Sequence, residues 1–323
     1  GKTTVQIELD YPAKTQGSVI EEMVRAKLVE AGIPADVKIS QNIIAHEVQR
    51  GVKVFDSVRN IIAVSSGKGG VGKSTVSANL ALALQQEGAK VGLLDADVYG
   101  PSQPTMLGIT DKPYSVDGKT LEPMVAHGLQ VASVGVLIDP DQPMIWRGPL
   151  AVSALQQLLK QTNWKDLDYL IVDMPPGTGD IQLSLSQEVP LTGAVVVTTP
   201  QDIALMDARK GLVMFEKVNV PILGIIENMA THICSKCGHE EHIFGEGGAA
   251  KMAAQYGVEL LGELPLDINI RLSMDKGEPI VISDPDSKVA QAYREIARKL
   301  AVAVSKKNKD YSAKMPSIKV SDT

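Results

Sequence analysis

The chain has 323 residues and a net charge of −6. Hydrophobic residues make up 44% and charged residues 22%, which excludes a wholly disordered chain, and the presence of only two cysteines excludes a small disulfide-stapled scaffold. The acidic balance and an aromatic content of 4% argue against nucleic acid as a partner, because phosphates attract basic surfaces and bases stack on aromatic rings. No apolar run approaches the ~18 residues that span a bilayer, and the opening residues lack a secretory pattern, so we expect a cytoplasmic protein with no membrane partner.

The first part of the chain predicts a small strand–helix–strand unit. Apolar residues alternate over positions 5–9, as in a half-buried strand, and Ser18 and Glu21 have the spacing of a helix capping box. We interpret residues 1–45 as a small accessory α+β domain that lacks its start, because so short a unit buries little core alone. Residues 46–58 are expected to form a linker.

After the linker, the pattern changes to apolar runs that are each followed by a helical stretch. The runs lie at residues 61–64, 91–94, 169–172, 194–197, 222–226 and 260–264. This alternation predicts an α/β domain with a mostly parallel sheet and helices on both faces, whose ligand lies beyond the carboxyl ends of the strands. We place this domain at residues 59–304, with its last helix at about residues 286–304, and a polar tail at residues 305–323.

A phosphate-binding loop follows the first apolar run. Its sequence is Gly67-Lys68-Gly69-Gly70-Val71-Gly72-Lys73-Ser74-Thr75, which fits G-x-x-x-x-G-K-[ST] between a strand and a helix. In such a loop the backbone N–H groups and the helix start bind phosphates, Lys73 reaches the β- and γ-phosphates, and Ser74 places its hydroxyl on Mg²⁺. A plain glycine-rich turn is the alternative, and the complete motif in this context favours a nucleotide-binding site.

Three carboxylates and one amide follow predicted strands, where we expect them to meet this loop. Asp95 and Asp97 are two residues apart and face one side of an extended segment, and we interpret Asp95 as a Mg²⁺ ligand and Asp97 as catalytic. Asp173 ends an apolar run in the Walker B arrangement for hydrated Mg²⁺, and residues 175–180 follow as a γ-phosphate sensor. The amide of Asn228 suits an adenine edge. Such residues are also often helix caps or turn residues, but the phosphate loop favours the functional interpretation.

The two cysteines form a single motif, Cys234-Ser235-Lys236-Cys237. A thioredoxin-like redox pair lacks its usual context here, and a one-chain zinc site with His239 and His242 would crowd four ligands into a very short segment. Two chains that each offer the pair would make a Cys₄ set for Zn²⁺ or for a bridging iron–sulfur cluster. A pair of reduced thiols in a loop remains the fourth interpretation.

The position of Lys68, directly after the first glycine, resembles the deviant Walker A group of P-loop ATPases, K-G-G-x-G-K-[ST]. Spacing alone would make Lys68 a solvated surface lysine. In that group the early lysine contacts the nucleotide of a partner subunit in an ATP-sandwich dimer. The resemblance therefore implies that Lys68 acts in trans and that the protein is a nucleotide-dependent homodimer.

Seven segments together resemble the Mrp/ApbC family of iron–sulfur cluster carrier ATPases, within the wider class of P-loop NTPases. The segments are residues 65–75, 94–102, 146–149, 173–180, 198–201, 227–229 and 234–239. The resemblance implies ATP hydrolysis with Mg²⁺ and a bridging [4Fe–4S] cluster that Cys234 and Cys237 of two subunits hold and pass to apo iron–sulfur proteins. Residues 1–45 resemble the family's small preceding domain, but Lys14 follows Pro12-Ala13 where that domain often has a cysteine nearby.

Two other functions fit parts of the pattern. A partitioning or cell-division-site ATPase shares the loop and would leave the cysteines as a structural zinc loop, although such proteins do not need the motif. An electron-donating reductase of the nitrogenase-reductase kind would need two widely spaced ligand cysteines per chain, whereas Cys234 and Cys237 share one motif.

Overall fold

The computed structural model describes residues 3–49, 52, 55–136, 148–234 and 236–310. Its strands are Thr4–Leu9 (β1), Asp36–Gln41 (β2), Val58–Ser65 (β3), Val91–Asp95 (β4), Met124–Ala126 (β5), Leu129–Ser133 (β6), Leu167–Asp173 (β7), Gly193–Thr198 (β8), Ile222–Glu227 (β9), His232–Ile233 (β10), Glu240–Glu241 (β11) and Leu260–Glu263 (β12). Its helices are Gly17–Glu30 (α1), Lys73–Gln86 (α2), Gln103–Met106 (α3), Gly148–Gln161 (α4), Asp180–Glu188 (α5), Asp202–Lys217 (α6), Gly248–Tyr256 (α7), Ile268–Asp275 (α8), Ile280–Ser283 (α9) and Lys288–Ser305 (α10). Trp146 of the predicted 146–149 motif and the tail from residue 311 lie outside the described residues.

An eight-stranded sheet with the order β12-β9-β8-β3-β7-β4-β6-β5 forms the centre of the molecule. Every neighbouring pair in it is parallel except β5 and β6, which are antiparallel. This confirms the predicted mostly parallel α/β fold, and all six predicted apolar runs are strands of this sheet. Strands β5 and β6 were not predicted, and they extend the sheet beyond β4.

Two apolar layers cover the two faces of this sheet. On one face, α2 and α10 bury side chains such as Leu80 and Tyr293, and on the other face, α4 and α6 bury side chains such as Leu155 and Phe215. The strand register places Asp173 opposite both Val64 of β3 and Asp95 of β4. The carboxyl ends of three central strands therefore meet at one edge, where the phosphate loop begins.

The N-terminal unit consists of the parallel pair β1 and β2, joined through α1. The predicted capping box is wrong, because α1 begins at Gly17 with Gln16 as its N-cap, and no side chain caps it. A 3₁₀ turn at Lys14–Gln16 precedes the helix, and the backbone N–H of Lys14 donates to the carbonyl of Glu87, at the end of α2, at 3.0 Å. The contact with α2 therefore determines how this helix starts.

The chain between the N-terminal unit and the sheet is packed against the α/β domain. The Nδ1–H of His46 donates to Asn60 Oδ1 at 2.9 Å, since an amide oxygen only accepts. Gln49 Nε2 donates to the carbonyl of Ser186 at 2.6 Å, and Gln49 Oε1 accepts from the Leu191 N–H at 2.9 Å. The first residues of the predicted linker are thus held at fixed positions. None of the helices in the described ranges is long and apolar enough to cross a membrane.

Candidate nucleotide and cysteine sites

The phosphate loop connects the end of β3 to Lys73, the first residue of α2. Gly70 and Gly72 have φ angles of +83° and +82°, in the left-handed region that favours glycine. A Cβ at Gly67 would overlap the backbone of Asp207 in α6, so only glycine fits between the loop and this helix. The loop, together with Asp97 and Pro176, lines a cavity of about 210 Å³ at the start of α2. Backbone N–H groups at a helix start favour an anion there.

Lys73 and Asp173 form the central ion pair of this site. Lys73 Nζ lies 2.6 Å from Asp173 Oδ1, 3.2 Å from Ser74 Oγ and 3.8 Å from Asp97 Oδ2. Both charged side chains of the central pair are almost fully shielded from solvent, at 6% and 0% exposed. The structure thus brings together four residues that the sequence assigned to the site from three separate segments.

Two further side chains hold the Asp173 carboxylate, and the sequence reasoning missed both. Ser77 Oγ donates to Asp173 Oδ1 at 2.8 Å, and Gln103 Nε2 donates to Asp173 Oδ2 at 2.9 Å. Ser77 lies one helical turn beyond Lys73 on α2, so helical spacing gave a signal for it. Gln103 belongs to a short helix after the Asp97 loop, and no local pattern marks it.

Asp95, predicted as a Mg²⁺ ligand, accepts hydrogen bonds from the loop that follows β4 and from β6. Its Oδ2 accepts from the N–H groups of Ser102 and Gln103 at 3.1 Å and from Ser133 Oγ at 3.0 Å, and its Oδ1 accepts from the Asp97 N–H at 3.2 Å. Burial, with the charge of Asp173 as the next cause, raises the pKa of Asp95 to about 7. A carboxyl group with both oxygens occupied in this way positions the loop that carries Asp97.

Asp97 lies at the opening of the phosphate cavity. Its Oδ1 accepts from the N–H groups of Tyr99 and Gly100 at 3.2 Å, which fixes the carboxylate at the turn after β4. The predicted sensor loop lies beside the start of the phosphate loop, because the Gly177 N–H donates to the carbonyl of Ser66 at 2.9 Å. The two loops are therefore in direct contact.

The oxygen atoms in this site fit Mg²⁺. The Ser74 hydroxyl and the carboxylates of Asp97 and Asp173 are hard oxygen donors of the kind that Mg²⁺ prefers. In addition, Gln103 Oε1 is buried and accepts no hydrogen bond from any described residue. An unpaired buried acceptor in a polar site fits an ion that retains coordinated water, since water supplies the missing donor.

A second cavity adjoins the phosphate cavity and suits a nucleoside. It measures about 230 Å³ and shares Gly72, Thr75 and Met106 with its neighbour. Asn228 lines it, and its Nδ2 donates to the carbonyl of Val71 at 2.8 Å, so part of the amide holds the phosphate loop. The segment after β12, residues 265–267, forms another wall, which the sequence reasoning did not find.

Lys68 extends from the same loop with its side chain partly exposed. Its carbonyl accepts from Ser66 Oγ at 2.9 Å, which holds the backbone. Its Nζ makes no hydrogen bond or ion pair with other side chains of the described ranges. This amino group is therefore available to a ligand or to another chain.

The cysteine motif lies on a small antiparallel hairpin, β10 and β11, outside the main sheet. Cys237 is exposed and Cys234 is half-buried, and both are free thiols. The N–H groups of Lys236 and Cys237 favour the thiolate and so lower the pKa of Cys234. His242 Nδ1 donates to the carbonyl of Ala230 at 3.0 Å, which turns this nitrogen away from a metal.

No three His, Cys, Asp or Glu side chains within the described ranges form a group that could hold a metal ion. In this arrangement neither His239 nor His242 lies in such a group with the two cysteines. A single chain offers the thiol pair alone, and a second pair must come from elsewhere if the site is to have four ligands.

A glycine-rich loop between a strand and a helix, with an acid at the end of the adjacent parallel strand, defines a P-loop NTPase. Residues 57–301 match the ParA family model described as "NUBPL iron-transfer P-loop NTPase", and the chain belongs to this family. This confirms the resemblance to iron–sulfur cluster carrier ATPases that the sequence motifs indicated.

Curated relatives extend the match over most of the chain. The iron-sulfur cluster carrier protein of Salmonella typhimurium is 55% identical over 303 residues, which cover 92% of this chain and 82% of that protein. The mouse iron-sulfur cluster transfer protein NUBPL is 51% identical over 247 residues, which cover 76% of this chain and 77% of that protein.

Solved structures share the fold. A nucleotide-binding protein from Archaeoglobus fulgidus in complex with ADP has a TM-score of 0.64 and 37% identity, and the match covers 73% of this chain and 92% of that one. The cell division ATPase MinD of Pyrococcus furiosus has a TM-score of 0.57 and 25% identity, with coverage of 75% and 98%.

Proposed function

We propose that the chain is a homodimeric, ATP-hydrolysing carrier that binds a bridging [4Fe–4S] cluster and transfers it to apo iron–sulfur proteins. The observation that carries this proposal is the pair of free thiols on a hairpin of a P-loop NTPase, with Cys237 exposed and Cys234 half-buried. The relatives named as iron-sulfur cluster carrier and transfer proteins support it, because they are 55% and 51% identical to 92% and 76% of the chain.

The nucleotide part of the proposal follows from the two adjoining cavities. The phosphates of ATP lie at the start of α2, where Lys73 exchanges its contact with Asp173 for the β- and γ-phosphates, and the base lies against Asn228. Bound Mg²⁺ supplies charge neutralisation for the phosphates and is held by Ser74 and Asp173. Asp97 orients the attacking water. The Archaeoglobus fulgidus relative, which was solved in complex with ADP, supports nucleotide binding by this fold.

The dimer completes both sites. Two chains contribute four thiolates, which is the usual ligand number of a [4Fe–4S] cluster, and one chain offers only two. The unpaired Nζ of Lys68 reaches the nucleotide of the partner. Because Cys237 is exposed, a recipient protein can approach the cluster without unfolding the carrier.

Two expectations about the cell belong to the same proposal. We place the carrier in the cytoplasm, where free thiols stay reduced. Its partners are a second copy of the chain and apo iron–sulfur proteins, with neither nucleic acid nor membrane required.

The proposal also includes the domain boundaries. Residues 1–45 form an accessory domain, and residues 59–304 form the ATPase domain.

Anaerobic iron and sulfide reconstitution tests the cluster. Wild-type protein should turn brown, bind about four iron atoms per dimer and run as a dimer. Cys234→Ala or Cys237→Ala should remove the colour, the transfer to an apo-acceptor and part of the dimerisation, while nucleotide binding stays unchanged. Dimerisation weakens because the binding energy of a shared group is also assembly energy.

His239→Ala and His242→Ala are the matched controls, because both lie beside the motif and make no contribution to a Cys₄ set. The carrier proposal requires both variants to keep the cluster. A colourless protein with one zinc per chain, lost in the histidine variants, would contradict it. That result would support the second candidate, a cell-division-site type ATPase with a structural zinc loop, which the likeness to MinD allows.

A further inference from the structure

Gln103 joins three parts of the candidate nucleotide site through one buried side chain. Its backbone N–H donates to Asp95 Oδ2 at 3.1 Å. Its Nε2 donates to the carbonyl of Ser74 at 2.9 Å and to Asp173 Oδ2 at 2.9 Å. The residue is fully buried. It therefore ties the loop after β4, the first turn of α2 and the end of β7 to one another.

The two contacts of Nε2 also fix the orientation of the carboxamide. Both neighbours, the carbonyl of Ser74 and the carboxylate of Asp173, are acceptors, so the nitrogen must face them and the oxygen must face away. That oxygen, Gln103 Oε1, is buried and has no donor among the described residues. Buried acceptors without a partner are rare in folded proteins, so a donor is missing at this point of the site.

We propose that Gln103 is a positioning residue for Mg²⁺, a role that rests on the proposed ATP site. Its Nε2 holds the carboxylate of Asp173 and the turn that carries Ser74 at a fixed separation. Mg²⁺ demands near-ideal octahedral geometry and gives up its water reluctantly. A small displacement of one ligand oxygen therefore weakens the binding of the ion.

This role differs from simple packing of α3 against α2 in what it predicts. A purely structural glutamine would change the stability of the fold and leave the response to the cation intact. A positioning residue for the ion changes the gain in nucleotide affinity that Mg²⁺ produces. The measured quantity is therefore the ratio of the nucleotide affinity with Mg²⁺ to the affinity without it, because a general loosening of the phosphate loop lowers both affinities and cancels in the ratio.

The test measures ADP affinity by calorimetry in EDTA and again in saturating Mg²⁺, on the full chain. Gln103→Met conserves volume and removes every side-chain hydrogen bond, and Gln103→Asn stays polar but is too short to reach Asp173. The affinity in EDTA is the reference for each variant, since Gln103 also contacts the carbonyl of Ser74 in the phosphate loop. The increase in ADP affinity that Mg²⁺ produces should be about tenfold smaller in both variants than in the wild type. This is the effect of losing a hydrogen bond to a charged group.

Gln85→Met is the matched control, because Gln85 lies at the far end of α2 and its Nε2 donates to the carbonyl of His127 at 3.0 Å. This variant should keep the full gain. An unchanged gain in either folded Gln103 variant would overturn the proposal, even if that variant melted at a lower temperature. Wild-type protein that binds no ADP would contradict the proposed function itself, so the two failures are distinguishable.

Discussion

Arg298 Nη1 lies 2.6 Å from Oε1 of Glu87, a fully buried carboxylate at the point where α2 ends. The same carboxylate accepts from the hydroxyl of Thr15 at 2.7 Å and from its N–H at 3.0 Å. Glu87 therefore links the N-terminal unit, α2 and α10. The helix that begins at the phosphate loop thus ends at the contact with the accessory unit.

Replacing Glu87 should release the N-terminal unit. Glu87→Ala leaves Arg298 and Thr15 without their acceptor, and breaking a buried pair costs about 3–5 kcal/mol in the free energy of unfolding, measured in urea. Limited proteolysis should then cut first between residues 41 and 58. Glu21→Ala removes an exposed pair with Arg25 and should cost less than about 0.5 kcal/mol. Equal protease resistance of the Glu87 variant and the wild type would show that other contacts hold the unit.

Asp97→Asn should bind Mg²⁺ and ATP normally and hydrolyse ATP about 10²–10⁴ times more slowly, because a carboxamide orients water poorly. Phosphate release under saturating ATP measures the rate, and calorimetry measures binding. Asp173→Asn should instead weaken binding itself, since Asp173 contacts Lys73 and lies in the proposed metal site. If Asp97→Asn turned over normally, the water-orienting role would belong to another residue.

Lys68→Ala should lower turnover through the partner subunit. Its amino group makes no contact with side chains in the described part of its own chain, so its loss should leave the fold and the monomeric phosphate loop unchanged. Mixing Lys68→Ala with Lys73→Ala should restore part of the turnover that each variant lacks alone, because one site of the mixed dimer then combines its own Lys73 with a Lys68 from the other subunit. A mixture that stays as inactive as the separate variants would contradict a lysine acting in trans.

The sequence identified the phosphate loop and the strand-end acids because each depends on local spacing. Lys73 follows a left-handed glycine at the start of a helix, and Asp173 ends a buried strand, so the pattern and the structure agree. The last helix, predicted at residues 286–304, occupies Lys288–Ser305. These elements are set by neighbouring residues in the chain.

The features that could not be predicted from the sequence depend on contacts between residues that lie far apart in the chain. Gln103 acquires its place from Asp173, and α1 acquires its start from Glu87, far along the chain. Strands β5 and β6 are short, and β6 is recognisable only because it pairs with β4. The spacing of Asp95 from Asp97 is compatible with a metal ligand. The hydrogen bonds that Asp95 accepts from the following loop and from β6 can be recognised only in the structure.

The contribution of Asp95 to the free energy of unfolding should fall as the pH rises from about 4 to about 7. Burial raises its pKa from 3.8 to about 7, so the folded chain holds this proton more tightly than the unfolded chain does. The stabilising contribution is complete below pH 3.8 and is lost as the pH passes through the folded-state value. Asp95→Asn should show a flatter dependence in urea unfolding across this interval, and parallel curves would contradict the raised pKa.

The chain segment after β9 joins the two candidate sites. Asn228 holds the phosphate loop at Val71, and two residues later the N–H of Ala230 donates to the carbonyl of Leu264 at 2.9 Å. Cys234 follows four residues after Ala230. Under the proposed function, nucleotide and cluster would therefore act on opposite ends of one short, anchored stretch. Linkage then requires reciprocity: whatever factor ATP applies to the affinity for the cluster, the cluster applies to the affinity for ATP. A titration in either direction measures the same coupling free energy.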